Sequence, residues 1–380
     1  MAIGGIQIGT RKKDPRLKEL FDSGKKVYSF SKLSSIENCP YGAYLNYVLH
    51  QKNKKQSVWG ILGGKFHDKL EEITLGEATP DELKPLVAQE LENLDIIGID
   101  FPKDSKGGDS IRRNWITDME HFSNHFEPLK GTYDTEKLLI LKIDEDHYLQ
   151  GYADLIRHNE DGTCSILDWK SSSLYDTKGF EHAAHQLRIY GLAMQQEGIR
   201  VRDLSWIFMK YVEVEFMGKA RANSKKESLR RKIIERRKIG QEMSELVESD
   251  LYSLGYEEMD VDSYLYEMQK NNSLDGLPAE VRNKYKFRTY IKTIPFEGDE
   301  DGISATLDYI ADMIRNFEER NEKDEEAWEH RNFTITTKFG KVREDTFYCN
   351  ALCDFGETCK YIKAFNDSKT QENDEMDEWF

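Results

Sequence analysis

The residues that most restrict the fold run from Leu138 to Ser173, LLILKIDEDHYLQGYADLIRHNEDGTCSILDWKSSS. Short apolar and β-branched runs alternate there with turn residues, and NEDGT between two of the runs predicts a hairpin. A strand over SILDWK places Asp168 and Lys170 on one face and sends Trp169 to the other, because strand side chains alternate. If the two runs pair through NEDGT, the carboxylate of Asp154 in GYADLI approaches that of Asp168. Two carboxylates converging on one point are costly unless a cation lies between them, so the hairpin carries a chemical expectation as well as a structural one.

The flanks of this hairpin set the fold class. Upstream, WGILGGKFHDKLEEITLGEA gives a glycine pair and then an amphipathic helix, with Phe66, Leu70 and Ile73 at helical spacing. Downstream, KGFEHAAHQLRIYGLAMQQEG reads as helix and DLSWIFMKYVEVEF as strand. This order predicts an α/β fold with a mixed central β-sheet flanked by helices. The 380 residues suffice for one large domain, taken as 1–365, with helical insertions at about 75–133 and 217–300 and an acidic, disordered tail over 366–380. A further charged amphipathic helix, ATLDYIADMIRNFEERNEKDEEAWEHR, leads directly into a cysteine-containing segment near the end.

With 33% charged and 11% aromatic residues the chain is neither disordered nor apolar enough for a membrane, and no run reaches bilayer-spanning length. The N-terminal residues lack the apolar run of a signal peptide, so the expectation is an intracellular protein, cytoplasmic or nucleoid-associated, with reduced cysteines. A net charge of -16 argues against a nucleic-acid partner until its distribution is considered. Between Lys219 and Lys238, KARANSKKESLRRKIIERRK carries ten Lys or Arg against Glu227 and Glu235, and is expected as a long helix with a phosphate-contacting face.

Asp154, followed fourteen residues later by Asp168-Trp169-Lys170, resembles the core of the PD-(D/E)XK nucleases. Two further elements are similar to that superfamily's RecB-like branch: His67 in GGKFHDKLEE, and Gln186 with Tyr190 in HQLRIYGLAM, four apart and therefore on one helix face. The fold implied is the restriction-endonuclease-like core. The resemblance implies Mg2+ or Mn2+ held by His67, Asp154, Asp168 and the carbonyl of Trp169, with manganese favoured as much as magnesium by the imidazole nitrogen. It assigns Asp154, Asp168, Lys170, Gln186 and Tyr190 to catalysis, with Lys170 orienting or deprotonating water and offsetting charge on the phosphoryl group. His182 and His185 match no element of the motif and are left as structural or substrate-facing.

Members of that branch, the AddB and CRISPR-associated RecB-type nucleases, hold a four-iron cluster on one early and three late cysteines. Cys39 stands at the early position here, and Cys349, Cys353 and Cys359 in FYCNALCDFGETCKYI at the late ones. A [4Fe-4S] cluster is the cofactor implied, with Zn2+ as the alternative, because three residues separate Cys349 from Cys353 where the family has two. Cys164 is left as a core residue. The activity implied is metal-dependent DNA hydrolysis, an exonuclease on single strands or ends in recombination, repair or replication. The alternatives are a structure-dependent endonuclease and a non-catalytic DNA-binding recombination accessory protein. The acidic end, finishing in Trp379-Phe380, resembles the tips of single-stranded-DNA-binding proteins and implies replication or recombination partners.

Overall fold

The computed structural model describes residues 14–52, 56–104, 106–218 and 228–377. The chain enters through helix α1 (Pro15–Asp22), strand β1 (Lys26–Ser29), α2 (Phe30–Asn38) and the single turn α3 (Pro40–Ala43). Helix α4 (Val58–Leu75) follows, burying Val58, Leu62, Phe66, Leu70 and Ile73 along one stripe. Gly76 ends it at φ +76°, a left-handed position that a Cβ would oppose. After α5 (Leu86–Ile97) and α6 (Ser110–Asn124) come the long strands β2 (Thr132–Lys142) and β3 (His147–His158), then β4 (Cys164–Lys170).

Helix α7 (Thr177–Gln196) crosses from β4 to β5 (Val201–Gly218), which runs parallel to β4. Asp176 caps α7 by accepting from Gly179 N at 2.8 Å. Next are β6 (Ser228–Glu235), α8 (Ile239–Ser253), α9 (Glu258–Asn271), α10 (Ala279–Arg282), β7 (Lys286–Pro295) and α11 (Glu300–Asn321). A small separate hairpin, β8 (Thr334–Thr336) and β9 (Val342–Glu344), precedes the last helix, α12 (Lys360–Asp377).

Strands β1 to β7 form one mixed sheet. Its centre reads β2, β3, β4, β5, β7, with β1 continuing the line of β4 along β3 and β6 lying beside the far half of β5. Strand β4 is buried along all but its last residue because both faces are covered. Cys164 and Ile166 face a core shared with α2, α7 and α11, whereas Leu167 and Trp169 face one built on α4, α5 and α6. This is the helix-flanked α/β fold expected from the sequence.

The segment 217–300 differs from a purely helical insertion, since it supplies β6 and β7 as well as three helices. The described part of the basic run is not a long helix: residues 228–235 are strand, pairing with Tyr211–Gly218 of β5 and burying Ile234, and Arg236–Lys238 make one 3-10 turn. Nor does it offer a free cationic face. Arg231 meets Glu215 at 3.4 Å, Lys232 meets Glu242 at 2.8 Å, Arg237 meets Asp118 at 3.0 Å and Lys238 meets Glu235 at 2.7 Å. Arg236 is buried, its Nε donating to the Met209 carbonyl at 2.6 Å. These cations are engaged in holding α6, β5 and α8 together; residues 219–227 lie outside the described part.

At the other end the acidic stretch expected to lack structure continues α12 as far as Asp377, in keeping with its helix-forming Gln, Glu and Met residues. Trp379 and Phe380 lie outside the described residues. No helix among the described residues is long and apolar enough to cross a membrane.

Candidate active site

The hairpin of β3 and β4 positions the two aspartates. The strands pair antiparallel from Leu155 with Leu167 to His158 with Cys164, and Gly162 closes the turn at φ +79°. Asp154 and Asp168 stand opposite each other one step beyond the last bridged pair. Ile166 marks the sheet face that Asp168 shares, and that face meets α7. Trp169 points the other way, as the alternation requires.

Asp154 Oδ2 accepts from the Trp169 amide at 2.9 Å and lies 3.4 Å from His67 Nδ1 on α4. Lys170 Nζ lies 2.5 Å from Asp168 Oδ2, although that buried oxygen receives no well-directed hydrogen bond. Burial holds the Asp154 carboxyl well above its ordinary range, and the charge of Asp168 adds to the effect. Burial by itself would depress the Lys170 ammonium, but Asp168, then Tyr175 and Asp154, outweigh it and hold the lysine more firmly protonated. His67 is pushed down, chiefly by burial, and so favours the neutral imidazole that ligates metals.

The donor set suits a divalent cation: two converging carboxylates, one with an unsatisfied buried oxygen, and a neutral imidazole beside them. Among the described residues, no group of three or more His, Cys, Asp or Glu is placed to hold a metal ion as it stands. Asp168 Oδ2 is turned instead to Lys170, which supplies the nearest positive charge.

On α7, Gln186 Nε2 donates to Tyr190 OH at 3.1 Å. Tyr190 is buried, which raises its phenol to about 12, and it lies close enough to feel the charges of Asp168, Asp154 and Lys170. Its ring occupies the space where Gly151 of β3 lacks a side chain; a Cβ there would overlap Tyr190 Cε1. Gly151→Ala is therefore expected to displace Tyr190 and cost about 1–3 kcal/mol of stability, read as a lower urea midpoint at unchanged m. An unshifted midpoint would show that Tyr190 is free to move. His182 and His185 tie α7 to its neighbours: His182 Nε2 lies 2.8 Å from Glu37 Oε2 and His185 Nδ1 2.9 Å from Thr306 Oγ1.

Two further carboxylates, one on β2 and one on α4, escaped the sequence reading. Glu136 on β2 falls between the bridged pairs Thr135 with Leu155 and Lys137 with Ala153, hence opposite Asp154. It adopts φ +44°, rare for a residue with a side chain, and its charge helps raise the Asp154 pKa. Glu71, one helical turn after His67, accepts from Thr135 Oγ1 at 2.8 Å. No Gly or Pro marks the irregularity at Glu136, so no local signal could have found it.

A second constellation closes around one pocket. Cys39, Cys349, Cys353 and Cys359 line it together, with Tyr41, Phe355 and Ile362 among the apolar walls. All five cysteines are free, and Cys164 lies away in the core with its Sγ 3.7 Å from His158 Nδ1. Burial and then the neighbouring thiols push Cys349 up to about 12, and burial pushes Cys353 up to about 11. Gly356 is required here because a Cβ would overlap the Cys349 carbonyl oxygen.

Residues 27–360 match the sequence model of the family described as the PD-(D/E)XK nuclease superfamily, a span that takes in both constellations. No curated protein matches the chain.

Proposed function

Because this chain belongs to the PD-(D/E)XK nuclease superfamily, we propose that it is a metal-dependent DNA nuclease of the RecB-like branch, acting as an exonuclease on single strands or ends in recombination, repair or replication. The observation that carries this reading is the meeting of Asp154 and Asp168, just beyond the last bridged pair of β3 and β4, with His67 and Lys170 beside them. Asp154, Asp168, His67 and the Trp169 carbonyl would hold Mg2+ or Mn2+. When bound, such an ion polarises a phosphate oxygen and acidifies water.

The chain's own groups account for the rest of the chemistry. Lys170, kept protonated by Asp168, offsets negative charge developing on the phosphoryl oxygens. The Trp169 amide fixes one oxygen of Asp154 and so limits how that carboxylate turns. Gln186 and Tyr190 form a rigid wall beside the aspartates, orienting the strand to be cut.

The four-cysteine pocket belongs to the same reading as a [4Fe-4S] site, with Zn2+ as the alternative. A cubane cluster is held by thiolates alone, and four cysteines line this one pocket. Linear and circular single-stranded DNA test the exonuclease assignment. Cleavage confined to the linear form is expected, and cutting of the circle would replace it with an endonuclease.

A further inference from the structure

Hairpin β8–β9 stands apart from the large sheet. A two-stranded ribbon is only marginally stable alone, and this one is fastened at its base. Asp345 N donates to the Phe333 carbonyl at 2.8 Å, and Arg331 Nη2 pairs with Asp345 Oδ2 at 3.0 Å. The Phe333 ring packs against His330 at 4.9 Å and Phe365 at 5.0 Å between centroids. His330, Arg331 and Phe333 also wall the cysteine pocket, so the ribbon is rooted beside it.

Its far end is a tight turn. Gly340 N donates to the Thr337 carbonyl and Thr337 N to the Lys341 carbonyl, each at 2.9 Å, with Gly340 at φ +75°. This geometry presents Lys338 and Phe339 outward. Phe339 is 93% exposed, more than any other large hydrophobic side chain among the described residues. A single exposed Phe needs no explanation. What surrounds this one does.

Lys338, Lys341 and Arg343 are all exposed and form no ion pair among the described residues. The acidic residues that follow them are already neutralised from elsewhere, Glu344 by Lys369 and Asp345 by Arg331. Among the described residues the ribbon thus presents three cations without an ion pair next to an aromatic ring, on a chain of net charge -16. Arg231 and Lys232 of β6, by contrast, are paired internally.

We propose that the β8–β9 tip is a binding site for single-stranded nucleic acid outside the catalytic centre. Phe339 stacks on an unpaired base, while Lys338, Lys341 and Arg343 engage the flanking phosphates. This rests on the nuclease reading, and it concerns residues that the hydrolytic centre does not use. A convex tip ringed by cations complements a base set between phosphates. It lacks the apolar concavity that would receive a peptide.

The test compares full-length chains carrying Asp168→Asn, so that nothing is cut, by anisotropy of a labelled single-stranded oligonucleotide over a range of salt. Phe339→Ala is expected to weaken binding about tenfold with little change in salt slope, since stacking carries no counterion release. The triple variant Lys338→Ala, Lys341→Ala, Arg343→Ala is expected to lower the salt slope by about 2, three single-strand phosphate contacts being lost. Both variants should melt like the parent, because the altered side chains are exposed. If the parent binds and both variants match it in affinity and slope, the inference is overturned while the nuclease reading stands; a tip that docks on protein would give that result. If the parent binds no nucleic acid, the nuclease reading fails and the inference falls with it.

Discussion

Asp168→Asn is expected to lower phosphodiester cleavage by about a thousandfold or more, the several kcal/mol that a correctly held metal contributes to the transition state. The side chain is 4% exposed, so the isosteric amide fits the same space. It removes a formal charge from the pair facing the site, and Lys170 loses the carboxylate 2.5 Å from its ammonium. Two consequences separate this from general damage. Oligonucleotide binding is expected to persist through the proposed contacts at the β8–β9 tip, and circular dichroism at the assay temperature to show the same folded signal as the parent. Cleavage undiminished in the folded variant would remove Asp168 from the site.

The second large effect concerns the cysteines. Cys349→Ser is expected to abolish the visible absorption of the iron-loaded protein and to lower its unfolding free energy by several kcal/mol, since binding energy at a structural metal site is folding energy. Cys39 and Cys349 are 310 residues apart in sequence, so a group held by both closes nearly the whole chain into one loop. Serine keeps the size but is a poor ligand for iron. The apolar wall of Tyr41, Phe355 and Ile362 remains to hold the pocket partly together. Anaerobically purified parent and variant that are equally colourless and equally stable would contradict the cluster.

The β3–β4 hairpin and α7 were legible because their signals are local: alternating side chains about a Gly-containing turn, and a helical repeat placing Gln186 beneath Tyr190. His67 reached the same place from α4, which no local rule dictates; only the family pattern pointed to it. The basic run misled because Lys, Arg and Glu are good helix formers. Pairing with the extended β5 decided the outcome, a tertiary choice that propensity does not contain. Similarly, the helix expected to run to Arg331 ends at Asn321, and TITTKFGKVRE beyond it turns back on itself. That ribbon has the alternation and glycine turn of a hairpin but is too short to stand out. Glu136 was out of reach altogether, since its left-handed backbone leaves no mark in the residues around it.

Asp154, Asp168, His67 and Lys170 are proposed to form a metal-dependent hydrolytic centre. Its most direct test follows a labelled linear single-stranded DNA incubated with the purified chain in Mn2+, in Mg2+ and in EDTA, alongside Asp154→Asn. Shortening of the strand is expected with either ion, none in EDTA and none with the variant. Cleavage that persists in EDTA, or that Asp154→Asn performs as well as the parent, would contradict it.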